Sequence, residues 1–227
     1  MNTKNLIEKA KTNYGDIYYY ELFSSALDYP NKILSELKKE VKNKIVLDAG
    51  CGSGKFLPVV SKLAKYYYGI DISSEQLFLA NNKIINKEKV TLLCLDLCDI
   101  SLEDNSIDII YLSWVLGTIL DLDKRDRVLK ELLRVLKPGG KILLIENNVD
   151  NEFEEIRGRT KDNRTKDYNK WVLSNNFKVF KQFNTYFKFN NTLEAKKVFD
   201  IIYGVKVASK VSSSKINHNI VIFELIK

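Results

Sequence analysis

The sequence predicts a doubly wound α/β fold, an open and mostly parallel sheet with helices on both faces. Three observations carry that prediction. Short apolar runs alternate with amphipathic helical segments through the first two thirds of the chain. A glycine turn, Gly50-Cys51-Gly52-Ser53-Gly54, follows the first of those runs. Three successive runs end at an aspartate: Asp48, Asp71 and Asp96.

Residues 1–43 read as a helical preamble. Asp28 and Asn31 flank Pro30 as a helix start, and Ile33, Leu34, Leu37 and Val41 repeat at helical spacing. An aromatic cluster precedes them: Tyr14, Tyr18, Tyr19, Tyr20 and Phe23. From Lys44 the period changes. Ile45-Val46-Leu47 is a strand, and the helix after the glycine turn carries Phe56, Val59, Val60 and Leu63, with Pro58 tolerated in its first turns. Tyr66 to Ile70 is the second strand, followed by a helix capped by Ser73 or Ser74. Val90 to Leu95 is the third strand. Ile107 to Leu112, nearly all apolar, fits a strand buried on both faces. Asp121 to Leu136 is an amphipathic helix, Lys137-Pro138-Gly139-Gly140 stops it as a turn, and Ile142 to Ile145 is the fifth strand. Beyond it come a loop at 147–165, a helix at about 166–175, a strand at 177–187, a helix at 192–203 and a last strand at 219–226.

Composition excludes several classes. Of 227 residues, 45% are apolar and 29% charged, as in an ordinary globular chain. The uncharged stretch Ile109–Leu120 is twelve residues, too short to span a bilayer, and MNTKNLIEKAK lacks the apolar core of a secretory signal. Three cysteines point to a reducing, cytoplasmic setting without disulfides. A single histidine, His218, argues against a histidine zinc site or a serine–histidine triad, and no metal is expected. The net charge of +7 is uneven. Residues 1–150 hold 21 basic and 21 acidic side chains, whereas residues 151–227 hold 15 and 8.

A glycine turn between a buried strand and a helix lets the backbone approach a ligand where a Cβ would collide. In open α/β sheets ligands bind beyond the carboxyl ends of the strands. A nucleoside there finds Asp71, placed to accept from both ribose hydroxyls, and Asp96, placed to accept from an exocyclic amine. Ser113-Trp114 ends the fourth strand. In order and spacing, VLDAGCGSGKF, GIDIS, LCLDLCDI, SIDIIYLSWVLGTI and RVLKPGGKILLIE resemble the motifs of class I S-adenosylmethionine-dependent methyltransferases over roughly residues 44–146.

The resemblance implies a Rossmann-like, seven-stranded sheet with a reversed last strand. It implies one domain over 1–227, with a lid at 1–43, a cofactor core at 44–146, and an acceptor-side insertion with the last strands at 147–227. Asp48 and the backbone of Gly50, Gly52 and Gly54 then surround the methionine part of the cofactor, with Cys51 a small residue within the loop. Asp71 binds the ribose, Ile72 packs on the adenine, and Asp96 with the Leu97 N–H reads the adenine edge. Ser113 and Trp114 lie beside the sulfonium, and S-adenosyl-L-homocysteine is the product. A rival, an NAD(P)-binding Rossmann protein, normally shows G-x-G-x-x-G, where this chain has Lys55 three positions after Gly52.

Methyl transfer from a sulfonium is an in-line displacement that needs alignment and desolvation more than acid–base help. Many small-molecule relatives place a histidine after the fourth strand; here Val115-Leu116-Gly117-Thr118 stands there. Glu146 is the best carboxylate candidate to face an acceptor, and the tyrosine cluster resembles the aromatic N-terminal helix that closes over the cofactor in small-molecule methyltransferases, which implies Tyr14 and Tyr18 as lid residues. Cys94 is expected to be buried in the third strand and His218 to lie on the surface. The segment Arg157 to Lys166 could bind RNA phosphates or an acidic small molecule. It has no interleaved aromatics for base stacking, which favours a small-molecule acceptor over RNA. An RNA or protein methyltransferase and a cofactor-binding, non-catalytic subunit remain open alternatives.

Overall fold

A computed structural model describes residues 16–227. Seven strands form one sheet: β1 (Ile45–Ala49), β2 (Tyr66–Asp71), β3 (Val90–Cys94), β4 (Ile107–Ser113), β5 (Leu136–Asn147), β6 (Lys178–Lys188) and β7 (Lys215–Ile226). Their order is β3-β2-β1-β4-β5-β7-β6. The first five run parallel. β7 is reversed against β5: the start of β5 pairs with the end of β7 (Gly139 N to Lys227 O, 2.9 Å), and the residue after β5 bonds back near its beginning (Asn148 N to Asn219 O, 2.8 Å). The strand order turns between β1 and β4, the switch point at which such sheets bind ligands.

The described residues form two compact units. One holds Ile33–Glu146, Val172–Lys181 and Val221–Lys227; the other holds the chain up to Lys32, Asn147–Trp171 and Gln182–Ile220. In the first unit, β1 and β4 are buried almost throughout, as strands covered on both faces must be. Helix α2 (Lys32–Val41) buries Ile33, Leu37 and Val41, and Lys141 of β5 bridges Glu40 and Glu224, so this helix packs with the core rather than with a lid. Helix α3 (Leu57–Leu63) carries Pro58 in its first turn. Ser73 caps α4 (Ser74–Asn81) and Asp121 caps α5 (Leu122–Val135), each accepting from a backbone N–H one turn on. β5 begins six residues earlier than the apolar run predicts. Gly139 takes φ +76°, and the Lys137-Pro138-Gly139-Gly140 turn folds back into the sheet by pairing with Lys227.

The second unit has an aromatic core. Phe23 of α1 (Ile17–Ala26), Phe153, Phe187, Phe199 and Tyr203 meet with ring centroids 4.8–6.3 Å apart. The loop expected at 147–165 is instead helical: α6 (Glu152–Arg157), α7 (Arg159–Asp162) and the start of α8 (Arg164–Ser174). Asn151 caps α6, three glutamates occupy its first turn, where the helix dipole favours them, and Gly158 closes it at φ +76°. Helix α6 is short, and its Phe153 and Ile156 are one turn of apolar residues, below what periodicity resolves. Helix α9 (Thr192–Tyr203) matches its predicted bounds, and α10 (Val205–Ala208) follows it.

Two side chains stand opposite to expectation. His218 is fully buried in β7, between Phe153 and Phe187, with Nε2 2.8 Å from Asn147 Oδ1. Burial, and then the charge of Arg157, push its pKa down to about 3, so the imidazole is neutral near pH 7. Cys94, expected inside, is exposed at the end of β3, which is the edge strand among the described residues.

The basic segment also turns inward at its first arginine. Arg157 pairs with buried Glu154 at 2.9 Å and lies over the rings of Phe153 (4.8 Å) and Tyr203 (5.2 Å). Thr165 at the start of α8 donates to the other oxygen of Glu154, fastening α6 to α8. Removing one member of a buried pair leaves the other charged and unpaired. Glu154→Ala is therefore expected to lower unfolding free energy by about 3–5 kcal/mol in chemical denaturation. A loss below about 1 kcal/mol would show that the pair does not hold α6.

Candidate cofactor site

The glycine turn joins β1 to α3 in left-handed backbone. Gly50, Gly52 and Gly54 have φ of +81°, +53° and +76°, conformations that a side chain would strain. A Cβ on Gly50 would also lie 2.4 Å from Val115 Cγ2, in the segment after β4. Asp71 fixes the turn from the next strand: its Oδ2 accepts from the Gly52 N–H at 2.8 Å, and its Oδ1 from the Ser73 N–H at 2.9 Å. Each carboxylate oxygen keeps a lone pair beyond those bonds, so Asp71 retains the capacity to accept from two ribose hydroxyls. Ile72 beside it is 42% exposed, an apolar side chain open to solvent where an adenine is expected.

Beneath the turn lies a buried carboxyl. Asp48 Oδ2 accepts from the hydroxyls of Tyr67 on β2 (2.7 Å) and Tyr111 on β4 (2.8 Å), while Oδ1 has no partner among the described residues. Register explains the arrangement. Tyr111 is directly opposite Asp48 on one side, and Gly69 is opposite it on the other. A Cβ at Gly69 would lie 2.7 Å from Leu92, 3.1 Å from Cys51 Sγ and 3.1 Å from the Tyr67 ring, so the missing side chain leaves Tyr67 room to reach across. Burial pushes the Asp48 pKa up to about 7, against the lowering effect of the two phenols. Burial and the carboxylates of Asp48 and Asp71 push the Cys51 thiol up as well, consistent with a filler and not a nucleophile.

Asp96 follows β3 and is more heavily engaged than the sequence indicates. Lys124 donates to its Oδ2 at 2.7 Å and the Cys98 N–H to its Oδ1 at 3.0 Å. These bonds and the lysine's charge outweigh its partial burial and hold its pKa below the usual carboxylate range. Leu97 is buried beside it. The segment is tied to the end of β2 through Leu95 N to Asp71 O, 3.1 Å.

Ser113 closes β4. Trp114 then adopts φ +57°, a left-handed conformation that costs a bulky residue about 1–2 kcal/mol. Its N–H donates to Ile145 O of β5 at 2.9 Å, and that bond holds the turn in place. Glu146, one residue beyond Ile145, is 4% exposed.

The structure thus bonds Gly52 to Asp71 and Gly50 and Cys51 to Ile70 of β2, with Asp48 just before the turn and Gly54 at its end, and sets Asp96, Leu97, Ser113 and Trp114 at the ends of the neighbouring strands. Tyr18 and Arg157 belong to the other unit. Tyr18 is 65% exposed on α1, with its ring edge against Tyr19, and Tyr14 lies outside the described residues. Sequence reasoning missed Tyr67, Tyr111 and Lys124. Only strand register and helix packing bring them to their aspartates.

Known proteins resemble parts of this chain. Residues 47–144 match the family described as "Methyltransferase domain". Phosphoethanolamine N-methyltransferase 1 of Triticum aestivum is 28% identical over 178 residues, 76% of this chain and 34% of that protein. The chloroplastic 2-phytyl-1,4-beta-naphthoquinone methyltransferase of Arabidopsis thaliana is 31% identical over 119 residues, 49% of this chain and 44% of that one. The chain therefore spans less than half the length of these relatives. A crystal structure of a SAM dependent methyltransferase from Aquifex aeolicus superposes with a TM-score of 0.59 at 20% identity, covering 91% of this chain and 96% of that one. Residues 47–144 are thus similar to a methyltransferase domain, and the chain shares the fold of a SAM dependent methyltransferase.

The residues present fit that cofactor. Asp71 has acceptor capacity left for the ribose, Ile72 offers an exposed apolar side chain, and three left-handed glycines keep alternate positions of the turn bare of side chains. Asp71→Ala removes a charged acceptor and also the bond that fixes Gly52. Its expected effect is a loss of about 10- to 100-fold in S-adenosylmethionine affinity by calorimetry, the scale of a lost charge-assisted hydrogen bond. Unchanged affinity would mean that the ribose lies elsewhere.

Proposed function

We propose that the protein transfers the methyl group of S-adenosylmethionine to a small-molecule acceptor. The observation that carries this reading is the left-handed glycine turn tied to Asp71 at the switch point of the sheet, with Asp48 buried just before it and the strained Trp114 at the end of the neighbouring strand. When bound, the cofactor supplies an activated methyl on a sulfonium. The chain's own residues bind, orient and exclude water. In this reading Asp71 and Ile72 hold the adenosine, Asp96 and the Leu97 N–H read the adenine edge, and the backbone at Gly50, Gly52 and Gly54 follows the methionine part. Ser113 and Trp114 flank the sulfonium, with the indole face suited to a cation. Glu146, at the carboxyl end of β5, is the residue we assign to the acceptor.

Support for a small acceptor comes from the relatives, whose names give phosphoethanolamine and a naphthoquinone as what they methylate. It also comes from Arg157, the first residue of the basic segment, which is committed to Glu154 and two aromatic rings instead of facing a polyanion. The three free cysteines fit a reducing, cytoplasmic compartment. No helix among the described residues is long and apolar enough to cross a membrane.

The test is transfer of label from methyl-labelled S-adenosylmethionine into cell extract, fractionated into metabolites, protein and RNA. Label is expected in the metabolite fraction and is expected to fall at least tenfold with Asp71→Ala, in line with the affinity loss above. Label in RNA or protein would overturn the acceptor class, and binding of cofactor with no transfer into any fraction would point to a non-catalytic subunit.

A further inference from the structure

An ion pair stands just beyond β3, where the adenine edge is read in the proposal above. Lys124, in the first turn of α5, donates to Asp96 Oδ2 at 2.7 Å, and the Cys98 N–H donates to Oδ1 at 3.0 Å. The Lys124 side chain is 15% exposed and that of Asp96 32%, so the pair is partly withdrawn from solvent and still within reach of a ligand. Two observations set this lysine apart from a structural tie. The N-terminal end of a helix disfavours a cation, and the same turn otherwise carries Asp121 and Asp123, as that end prefers. The segment after β3 is also fastened to α5 further along. Arg134 donates to the carbonyls of Ile100 (2.6 Å) and Leu102 (2.9 Å) and to Asp104 (2.6 Å), and Glu131 accepts from the Ile100 N–H at 3.2 Å. The segment is therefore held without Lys124.

What the pair offers a ligand is a pattern of hydrogen bonding. An ammonium has three N–H donors, and among the described residues this one bonds Asp96 alone. A carboxylate has about four acceptor sites, of which the Lys124 ammonium and the Cys98 N–H take two. An acceptor and a donor thus lie side by side, 2.7 Å apart, each with capacity left. Adenine presents the complement along one edge. Its 6-amino group donates and N7 beside it accepts, the same two atoms that the amide of Asn or Gln reads as a pair.

We propose that Lys124 is a cofactor-binding residue, its ammonium donating to adenine N7 while Asp96 accepts from the 6-amino group. This rests on the methyltransferase reading above, in which Asp96 and the Leu97 N–H already face the adenine, and adds a charged donor to the five-membered ring of the base. A base without N7 leaves that ammonium unanswered, and the site discriminates against it.

The test is calorimetric titration of the full chain with two ligands, S-adenosylhomocysteine and its 7-deaza form, in which C–H replaces N7 and the 6-amino group stays. A hydrogen bond from a charged donor implies a preference of at least about fivefold for S-adenosylhomocysteine. Lys124→Met keeps the length of the side chain and removes the ammonium, so the preference should fall at least about threefold. Lys124→Ala carries the same expectation and decides the matter if Lys124→Met does not fold. The ratio compares two ligands on one protein. An ion pair that only supports the fold would weaken both ligands alike and leave the ratio where it was. A wild-type preference below the fivefold mark would overturn this inference alone, as would a smaller fall in the variants than that expected. Absence of binding by both S-adenosylhomocysteine and S-adenosylmethionine would overturn the methyltransferase reading, and this inference with it.

Discussion

The burial of one carboxyl organises the middle of this molecule. Asp48 ends the apolar run of β1 and is clasped from both neighbouring strands, by Tyr67 of β2 and Tyr111 of β4. Raising a carboxyl from 3.8 to about 7 disfavours its ionised form by about 4 kcal/mol. The folded state holds that proton more tightly than the unfolded chain, so stability is present at low pH and declines as pH rises from near 4 toward 7. That cost is carried at the point where the strand order reverses. Its neighbours are shaped around it: Gly69 has no side chain so that the Tyr67 ring can pass, and Gly50 has none because Val115 occupies the space.

The parts of the fold that were legible in the sequence are those set by local chemistry. Alternating apolar runs, the N-caps Ser73 and Asp121, and the long amphipathic α5 and α9 all speak through residues close in sequence. The early start of β5 was not legible. A Pro-Gly-Gly segment reads as a turn, and only the pairing of Gly139 and Gly140 with Lys227 carries it into the sheet. Helix α6 was missed although its signals are present: Asn151 as cap, a glutamate-rich first turn and Gly158 as stop. The run of charge that follows it overrode them.

The same division holds at the site. Motif spacing located Asp48, the glycines, Asp71 and Asp96, because each lies at the end of a strand with its own pattern. It could not show that Asp48 is answered by tyrosines 19 and 63 positions away, or that Lys124 of α5 already holds Asp96. His218 was misjudged for a related reason. A histidine leading into a strand reads as exposed, and only the aromatic core around Phe153 and Phe187, with Asn147 as partner, makes a neutral buried imidazole acceptable. The basic surplus of residues 151–227 is changed in meaning as well. Twelve of its fifteen basic residues are lysines, and Arg157 is spent on an internal pair, so the surplus is mostly flexible ammonium groups and not a bidentate phosphate clamp.

Local rules of stability are broken in this chain where the parallel strands end. β1 ends in a buried acid, the turn after it is left-handed at three glycines, and β4 ends at a tryptophan with φ +57°. Elsewhere among the described residues the left-handed positions outside glycine are filled only by asparagine and aspartate, which adopt that region at little cost. Trp114 is the exception. Only glycine, which has no Cβ, would relieve that backbone fully, and the strain falls beside the switch point. Sequences are consistent across levels except where function demands otherwise. Here the exceptions at Asp48, Gly50 and Trp114 converge on the ends of β1 and β4, the same two strands whose order defines the crevice. The strain and the raised proton affinity are therefore read together, as two costs of a single site.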